Sequence, residues 1–349
     1  MATRKITFSQ AINEALFLCM KREKKIFLLG CGVTSPTAIF GSLKGLYRQF
    51  GKNRVIETPI AENGITGIAI GASLLGMFPI IIHQRIDFML LSMDQIVNHA
   101  AKWSYMFGGK KGVPLTIRCI IGKGWGQGAQ HSQSLQALFA HIPGLKVVMP
   151  STPCDVKGLL ISSIKDKNPV IFIEHRRLYD FKEKVPVGIY KIPLGKGRVV
   201  RKGKDITIVA ISLMVLEALK AAEVLKKDYK IDAEVVDLRC LRPLDEKIIL
   251  RSVKKTGRLI IADTGWITYG VSAEISALVS DFGYQYLKAP IKRVGLPEVP
   301  TPTTFYLENL YYPTAQRIVN YAVNLIFCQK KSAKRSKTAV IKDSFTGPF

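Results

Sequence analysis

Apolar runs of strand length alternate with helix-length segments along almost the whole chain, and this alternation constrains the fold more than any other feature. Ile26–Cys31, Phe78–Ile82, Val113–Ile121, Leu145–Met149 and Pro169–Glu174 read as buried strands. Between them the sequence predicts helices over Ile6–Arg22, opened by Thr7 or Ser9, and over Gly64–Gly76, Asp94–Phe107, His131–His141 and Pro153–Lys165. In the third of these, Ile96, Ala100, Trp103 and Phe107 fall on one apolar stripe. Strand and helix in strict alternation are the pattern of an α/β fold built on parallel sheets.

Between Phe181 and Gly203 the pattern pauses. Pro186, Gly188, Pro193, Gly195 and Gly197 among lysines give linker composition. A second alternation then predicts strands over Asp205–Ile211, Ala233–Asp237, Arg258–Asp263 and Ile291–Gly295. Its helices are Leu213–Lys226, capped by Ser212, then Asp245–Lys255, Gly270–Phe282 and Ala315–Phe327. The expected organisation is therefore an α/β domain over 1–180, a linker over 181–203, a second α/β domain over 204–329 and a tail over 330–349. That tail holds six Lys/Arg against one Asp and no apolar periodicity, so disorder is expected there.

The 51 Lys and Arg outnumber the 26 Asp and Glu, for a net charge of +25 over 349 residues. Such an excess suits a polyanion partner. However, no block of like charges and no helix-turn-helix, zinc-finger or aromatic-basic signature accompanies it, so the sequence argues against nucleic acid. No apolar run reaches the ~18–20 residues of a membrane span, and MATRKITFSQ has no apolar core of a secretory signal. Six cysteines, Cys19, Cys31, Cys119, Cys154, Cys240 and Cys328, have no paired spacing and read as reduced residues of a cytoplasmic protein.

Familiar nucleotide and hydrolase motifs are missing. There is no phosphate-binding G-x-x-x-x-G-K-[ST], no G-x-S-x-G and no H-E-x-x-H. Gly124-Trp125-Gly126-Gln127-Gly128-Ala129 matches a dinucleotide fingerprint in form but lacks the acidic residue about 20 positions on. Three other positions draw attention. Glu62 follows a proline-bent loop and opens a glycine-rich apolar helix, where a carboxylate acts either as a cap or as a functional acid near the positive helix end. Phe88 lies after a strand end in Gln84-Arg85-Ile86-Asp87-Phe88, either as core or as a ligand-facing ring. His131 follows a loop with glycines at 122, 124, 126 and 128, either as a helix opener or as a proton carrier near neutral pH.

Longer stretches carry a family pattern. TPIAENGITGIAIGASLLG (Thr58–Gly76), DQIVNHAAKWSYMFGG (Asp94–Gly109), AQHSQSLQALFAHIPGLKVVMPSTPCDVKGLL (Ala129–Leu160), KDKNPVIFIEH (Lys165–His175) and VVDLRCLRPLDEKII (Val235–Ile249) occur in the family's order. Over Ile6–Phe327 the chain resembles the β subunit of thiamine-diphosphate-dependent 2-oxo acid dehydrogenases, the E1 component of the pyruvate, acetoin and branched-chain type. The resemblance implies a pyrimidine-binding domain followed by a transketolase C-terminal domain. It implies an α₂β₂ heterotetramer with an E1 α subunit, decarboxylation of a 2-oxo acid, and acyl transfer to a lipoyl-bearing E2. It also implies that the α partner holds Mg²⁺ and the diphosphate, and this chain has no Gly-Asp-Gly with which to do so.

Residue by residue, the resemblance assigns Glu62 to N1′ of the aminopyrimidine, Phe88 to packing on that ring, and His131 to proton transfer during acyl transfer. Carbonyls of Leu115, Ser163, Ile164, Asp166 and Asn168 stand where some relatives bind potassium, though a plain turn explains them as well. The chain departs from the pattern at Ile82, often glutamate in relatives, at His83-Gln84-Arg85, at Gly124-Trp125-Gly126-Gln127, and at Asp263-Thr264-Gly265-Trp266. Its basic charge is also unusual for a subunit that meets a basic E2 domain. Arg85 is expected either to hold a substrate carboxylate or phosphate, or to pair with Asp87. Two rival readings stay open at this point: half of a split transketolase acting on anionic sugars, and a non-catalytic basic scaffold or nucleic-acid binder.

Overall fold

The computed structural model describes residues 2–122 and 126–327. Fourteen strands are described among them. In chain order they are β1 (Thr3–Thr7), β2 (Ile26–Gly30), β3 (Val55–Glu57), β4 (Phe78–His83), β5 (Thr116–Ile121), β6 (Lys146–Val148), β7 (Val170–His175), β8 (Lys182–Pro186), β9 (Arg198–Arg201), β10 (Ile206–Ala210), β11 (Ala233–Asp237), β12 (Cys240–Arg242), β13 (Leu259–Trp266) and β14 (Lys292–Leu296). Seven form the sheet β12-β6-β7-β5-β4-β2-β3 and five form β14-β13-β10-β11-β9. Within these two sheets every pairing is parallel except at the edges, where β12 and β9 run antiparallel to their neighbours; β1 and β8 form a separate antiparallel pair.

The parallel strands are buried on both faces, which is why they read as continuous apolar runs and not as alternating ones. One core layer runs without a break from Ile81, Ile117 and Ile171 of the first sheet to Val209, Val236 and Ile261 of the second. The two α/β halves therefore share a core.

From β2 the chain goes to the edge strand β3 and returns on the other side of β2 as β4, which continues to β5. The crossovers from β2 and from β4 thus diverge. In open α/β sheets that divergence leaves a crevice at the carboxyl ends of the strands, where ligands bind.

The structure departs from the expected elements at several places. The stretch with linker composition holds β8, paired to β1, and β9 on the edge of the second sheet. Pro186 closes β8 opposite Thr3, and Gly188, Pro193, Gly195 and Gly197 lie between the two strands. Asp94–Phe107 is not one regular helix. A π-helical stretch over Gln95–Ala100 precedes an α-helix over Ala101–Met106, so Ile96 and Ala100 are buried while Phe107 is 49% exposed. The helix expected over His131–His141 is confined to Gln136–Ala140. Ser212 does not cap Leu213–Tyr229. It has φ +50° and its hydroxyl donates to the carbonyl of Pro150, 3.1 Å away.

Thr7 does cap Phe8–Arg22, with a reciprocal bond to Gln10. Cys19, Cys119 and Cys240 are buried, Cys31 and Cys154 are half-buried, and all five are free thiols. Cys328, Gly124, Trp125 and the tail over 330–349 lie outside the described residues. Among the described residues no helix is long and apolar enough to cross a membrane.

Candidate active site

A cavity of about 430 Å³ opens at the β2/β4 crevice, below the N-terminus of the helix Glu62–Leu74. Glu62 is the first residue of that helix. Ala61 occupies the cap position and supplies no side-chain bond, so the first-turn amide groups and the Glu62 carboxylate face the same space. Glu62 is half-buried, and its carboxylate makes no hydrogen bond or ion pair among the described residues. The capping role left open by the sequence is therefore not the one it plays.

The walls around Glu62 are mostly apolar, formed by Ile65, Ile81, Leu91 and the ring of Phe88. Two polar atoms in this lining, Thr58 Oγ1 and His83 Nε2, are buried without a hydrogen-bond partner among the described residues. His83 alternates with Ile81 along β4, which puts both on the face of the sheet that meets the helix Glu62–Leu74. Burial pushes its imidazole down to about 4, so it is neutral near pH 7. Sequence reading missed both His83 and Thr58. The period of two along β4 was the signal available for His83. An apolar slot with one free carboxylate and isolated polar atoms suits a flat heteroaromatic ring with hydrogen-bonding edges, which is the shape and chemistry of an aminopyrimidine.

The loop beside the cavity is pinned by a second carboxylate. Glu57 accepts hydrogen bonds from the amide of Gly32, from the amide of Thr34 at 2.8 Å and from the Thr34 hydroxyl at 2.8 Å. Burial raises its pKa, but the bonds from Thr34 and Gly32 outweigh it and hold the group below its ordinary value. Cys31 also lines the cavity. Burial, with the charges of Glu57 and Glu62, pushes its thiol up.

Phe88 projects from a four-residue helix, Ile86–Met89. Its ring meets His131 edge-on. His131 does not open a helix. It sits in the loop five residues before Gln136, where the backbone amide of Gln133 donates to the Asp87 carboxylate and not to a helical carbonyl. Thus the structure brings Glu62 and Phe88 into one cavity and sets His131 edge-on against Phe88, outside the residues that line that cavity.

Arg85 does not line the cavity. It is 2% exposed, and its guanidinium donates to the carbonyl of Gly122 at 2.8 Å and to Oε1 of Gln127. Burial lowers its pKa. Two of its donors thus serve Gly122 and Gln127, while Nε is buried without a hydrogen-bond partner among the described residues, so the substrate role expected for Arg85 gains no support from this arrangement. Nor does Arg85 serve mainly Asp87, whose carboxylate accepts instead from the backbone and side-chain amides of Gln133.

The residues expected for potassium lie far down the sheet, around the turn after the helix Pro153–Ile164. There the Leu115 carbonyl accepts from Val170 and the Ser163 carbonyl from Asp166. Asp166 itself pairs with Lys146 at 2.5 Å and accepts from the Asn168 amide. Ile82, where relatives often carry glutamate, is buried on the opposite face of β4 from His83. Asp263 is buried in the second half and accepts from Gln136 Nε2 of the first at 2.9 and 3.0 Å. Burial pushes it up to about 6.

Two mainly parallel α/β sheets that share a core, with a cavity at the switch point of the first, are the architecture of the transketolase-like class. Family models agree: the transketolase pyrimidine binding domain matches residues 4–182 and the transketolase C-terminal domain matches residues 195–318. The chain is 46% identical to the acetoin:2,6-dichlorophenolindophenol oxidoreductase subunit beta of Cupriavidus necator, over 90% of this chain and 96% of that one. It is 43% identical to the subunit of the same name from Bacillus subtilis, over 93% and 98%. It is 42% identical to the pyruvate dehydrogenase E1 component subunit beta of Rickettsia felis, over 90% and 96%. A split-gene transketolase solved as an inactive β4 tetramer superposes with a TM-score of 0.76 at 23% identity, covering 92% of this chain and 98% of that one, and shares the fold. The chain belongs to the E1 β-subunit family of the 2-oxo acid dehydrogenases.

Proposed function

We propose that this chain is the β half of a heteromeric E1 enzyme that decarboxylates a small 2-oxo acid on thiamine diphosphate and passes the acyl group to a lipoyl-bearing E2. The observation that carries this reading is the single cavity joining an uncapped, half-buried Glu62 to Phe88. When bound, thiamine diphosphate supplies a carbon nucleophile and an electron sink for the breaking carbon–carbon bond. Glu62 would hold N1′ of the aminopyrimidine, in a dry pocket where such a bond is worth more than in water. Phe88, which lines the same cavity, would pack against that ring and exclude water. His131, edge-on to Phe88, would carry a proton during acyl transfer.

No Gly-Asp-Gly occurs in the chain, so Mg²⁺ and the diphosphate fall to an E1 α partner in an α₂β₂ assembly. On this reading residues 1–180 form the pyrimidine half and 204–329 the C-terminal half. Free thiols at all five described cysteines suit a reducing compartment such as the cytoplasm. A potassium ion on the carbonyls of Leu115, Ser163, Ile164, Asp166 and Asn168 would sit beside the Lys146 ammonium, at an electrostatic cost. Sugar phosphates gain no support from Arg85, whose donors serve Gly122 and Gln127.

Glu62→Gln in the co-expressed α/β complex tests the reading. Turnover with 2-oxo acids should fall by ~10²–10³-fold, the scale of losing one preorganised hydrogen bond at a reacting group. Assembly on gel filtration should be unchanged. Full activity in the variant would overturn the assignment.

A further inference from the structure

We infer that Arg85 and Asp87 are positioning residues that fix the His131 imidazole from both sides. The inference rests on the reading of His131 as a proton carrier and assigns how that residue is held. Arg85 stands immediately before the short helix Ile86–Met89, without a side-chain capping bond, and Asp87 lies within it, together with Phe88. Arg85 and Asp87 are both buried, at 2% and 8% exposed. Nevertheless, their polar groups go to different partners, on either side of His131 in sequence.

Arg85 Nη1 donates to the Gly122 carbonyl at 2.8 Å and Nη2 donates to Gln127 Oε1. Asp87 Oδ1 accepts from Gln133 Nε2 at 2.9 Å and from the Gln133 amide at 3.3 Å. Residues 127 and 133 thus bracket position 131, and both are tied to one helical turn. Phe88, on the same turn, supplies the third contact, edge-on to the imidazole at 5.2 Å. Gly122 is fixed in its turn. It has φ +77°, and a Cβ there would lie 2.4 Å from His175 Nε2, so the Arg85 acceptor rests on the buried His175 ring.

Charge-assisted bonds in a buried setting hold geometry strongly. Asp87 being forced up by burial does not remove its acceptor oxygen. A clamp of this kind needs nothing from the ligand. It sets where the imidazole stands before substrate arrives, and a misplacement of about 1 Å at a proton carrier costs on the order of 10²-fold.

The test uses the co-purified α/β complex carrying Arg85→Met, Asp87→Ala, Asp87→Asn, His131→Gln, and Asp87→Ala with His131→Gln. Each is assayed with a lipoyl acceptor and with a dye that takes electrons directly and bypasses acyl transfer. Without substrate, diethyl pyrocarbonate modification of His131 is followed by peptide mass spectrometry, with the exposed His99 and His141 as references. Arg85→Met and Asp87→Ala should each lower the lipoyl rate about tenfold to a hundredfold, with a much smaller effect on the dye rate. Both should change the modification rate of His131 alone. Asp87→Asn, which keeps the acceptor oxygen, should restore most of what alanine loses, and the double variant should be no slower than His131→Gln.

Equal loss in both assays with unchanged His131 reactivity would overturn the positioning role, as would a double variant whose losses add. If His131→Gln keeps its lipoyl rate, the proton-carrier reading falls. The modification rates then decide the clamp by themselves.

Discussion

The imidazole of His131 meets the ring of Phe88 edge-on, with centroids 5.2 Å apart and planes at 84°. An edge-to-face pair of this kind contributes ~0.5–1.5 kcal/mol beyond burial. Because Phe88 also lines the cavity, one ring serves as its wall and as support for the histidine. Phe88→Leu keeps an apolar wall but removes both aromatic contacts. The thiamine diphosphate Kd of the α/β complex should rise by about tenfold, equivalent to ~1.4 kcal/mol. Calorimetric titration of the complex measures this, and an unchanged Kd would place the coenzyme ring elsewhere.

Arg118 and Glu174 form an ion pair deep inside the first half, 1% and 0% exposed. Nε–Oε1 is 2.6 Å and Nη2–Oε2 is 2.9 Å, with the Tyr179 hydroxyl donating to the same carboxylate. The pair joins the neighbouring strands β5 and β7, where the two residues lie two rungs apart. Breaking a buried pair from one side strands a charge, at ~3–5 kcal/mol, whereas replacing both partners with apolar groups is often close to neutral. Arg118→Met should therefore lower the urea midpoint sharply, and Arg118→Met with Glu174→Met should recover most of it. A double variant as unstable as the single one would show that cavity formation, not the stranded charge, dominates.

Elements whose order comes from local periodicity were legible in the sequence: Ala233–Asp237 and Ala315–Phe327 have the expected bounds. What escaped depends on partners distant in the chain. β1 has three exposed residues in five and is a strand only because it pairs with β8. β12 is three residues long and leaves its own half to pair with β6, which no local pattern encodes. At the site, residue types alone left Glu62 as cap or acid and Phe88 as core or ligand-facing ring; the resemblance singled both out, and the fold brings both to one cavity. The partners of Arg85 were not legible. An arginine beside a site reads as a ligand group, and only the position of Gly122 and Gln127 reveals where its donors go.

A cluster at the junction of the two halves makes stability depend on pH. Asp155 is fully buried and contacts Arg239 at 2.5 Å and Arg198 at 3.2 Å. Asp237, also fully buried, accepts from the Ser151 hydroxyl and, at 3.0 Å, from the Arg239 amide. Burial, followed by the nearby Asp155 charge, pushes Asp237 up to about 7 from its ordinary 3.8. The folded chain therefore holds this proton where the unfolded chain has released it. Stability from the group is complete below about pH 4 and is lost as pH rises through about 7, with an upper bound of ~4 kcal/mol. Asp263, pushed up to about 6, adds a smaller loss of the same sign over a lower window. Asp237→Asn keeps an acceptor for the Arg239 amide and can donate to Ser151, so the fold should tolerate it. Urea unfolding of wild type and variant at pH 5 and pH 8 isolates the effect. The variant should gain on the wild type at pH 8 relative to pH 5, and a difference that is flat with pH would show that Asp237 is ionised in the folded chain throughout.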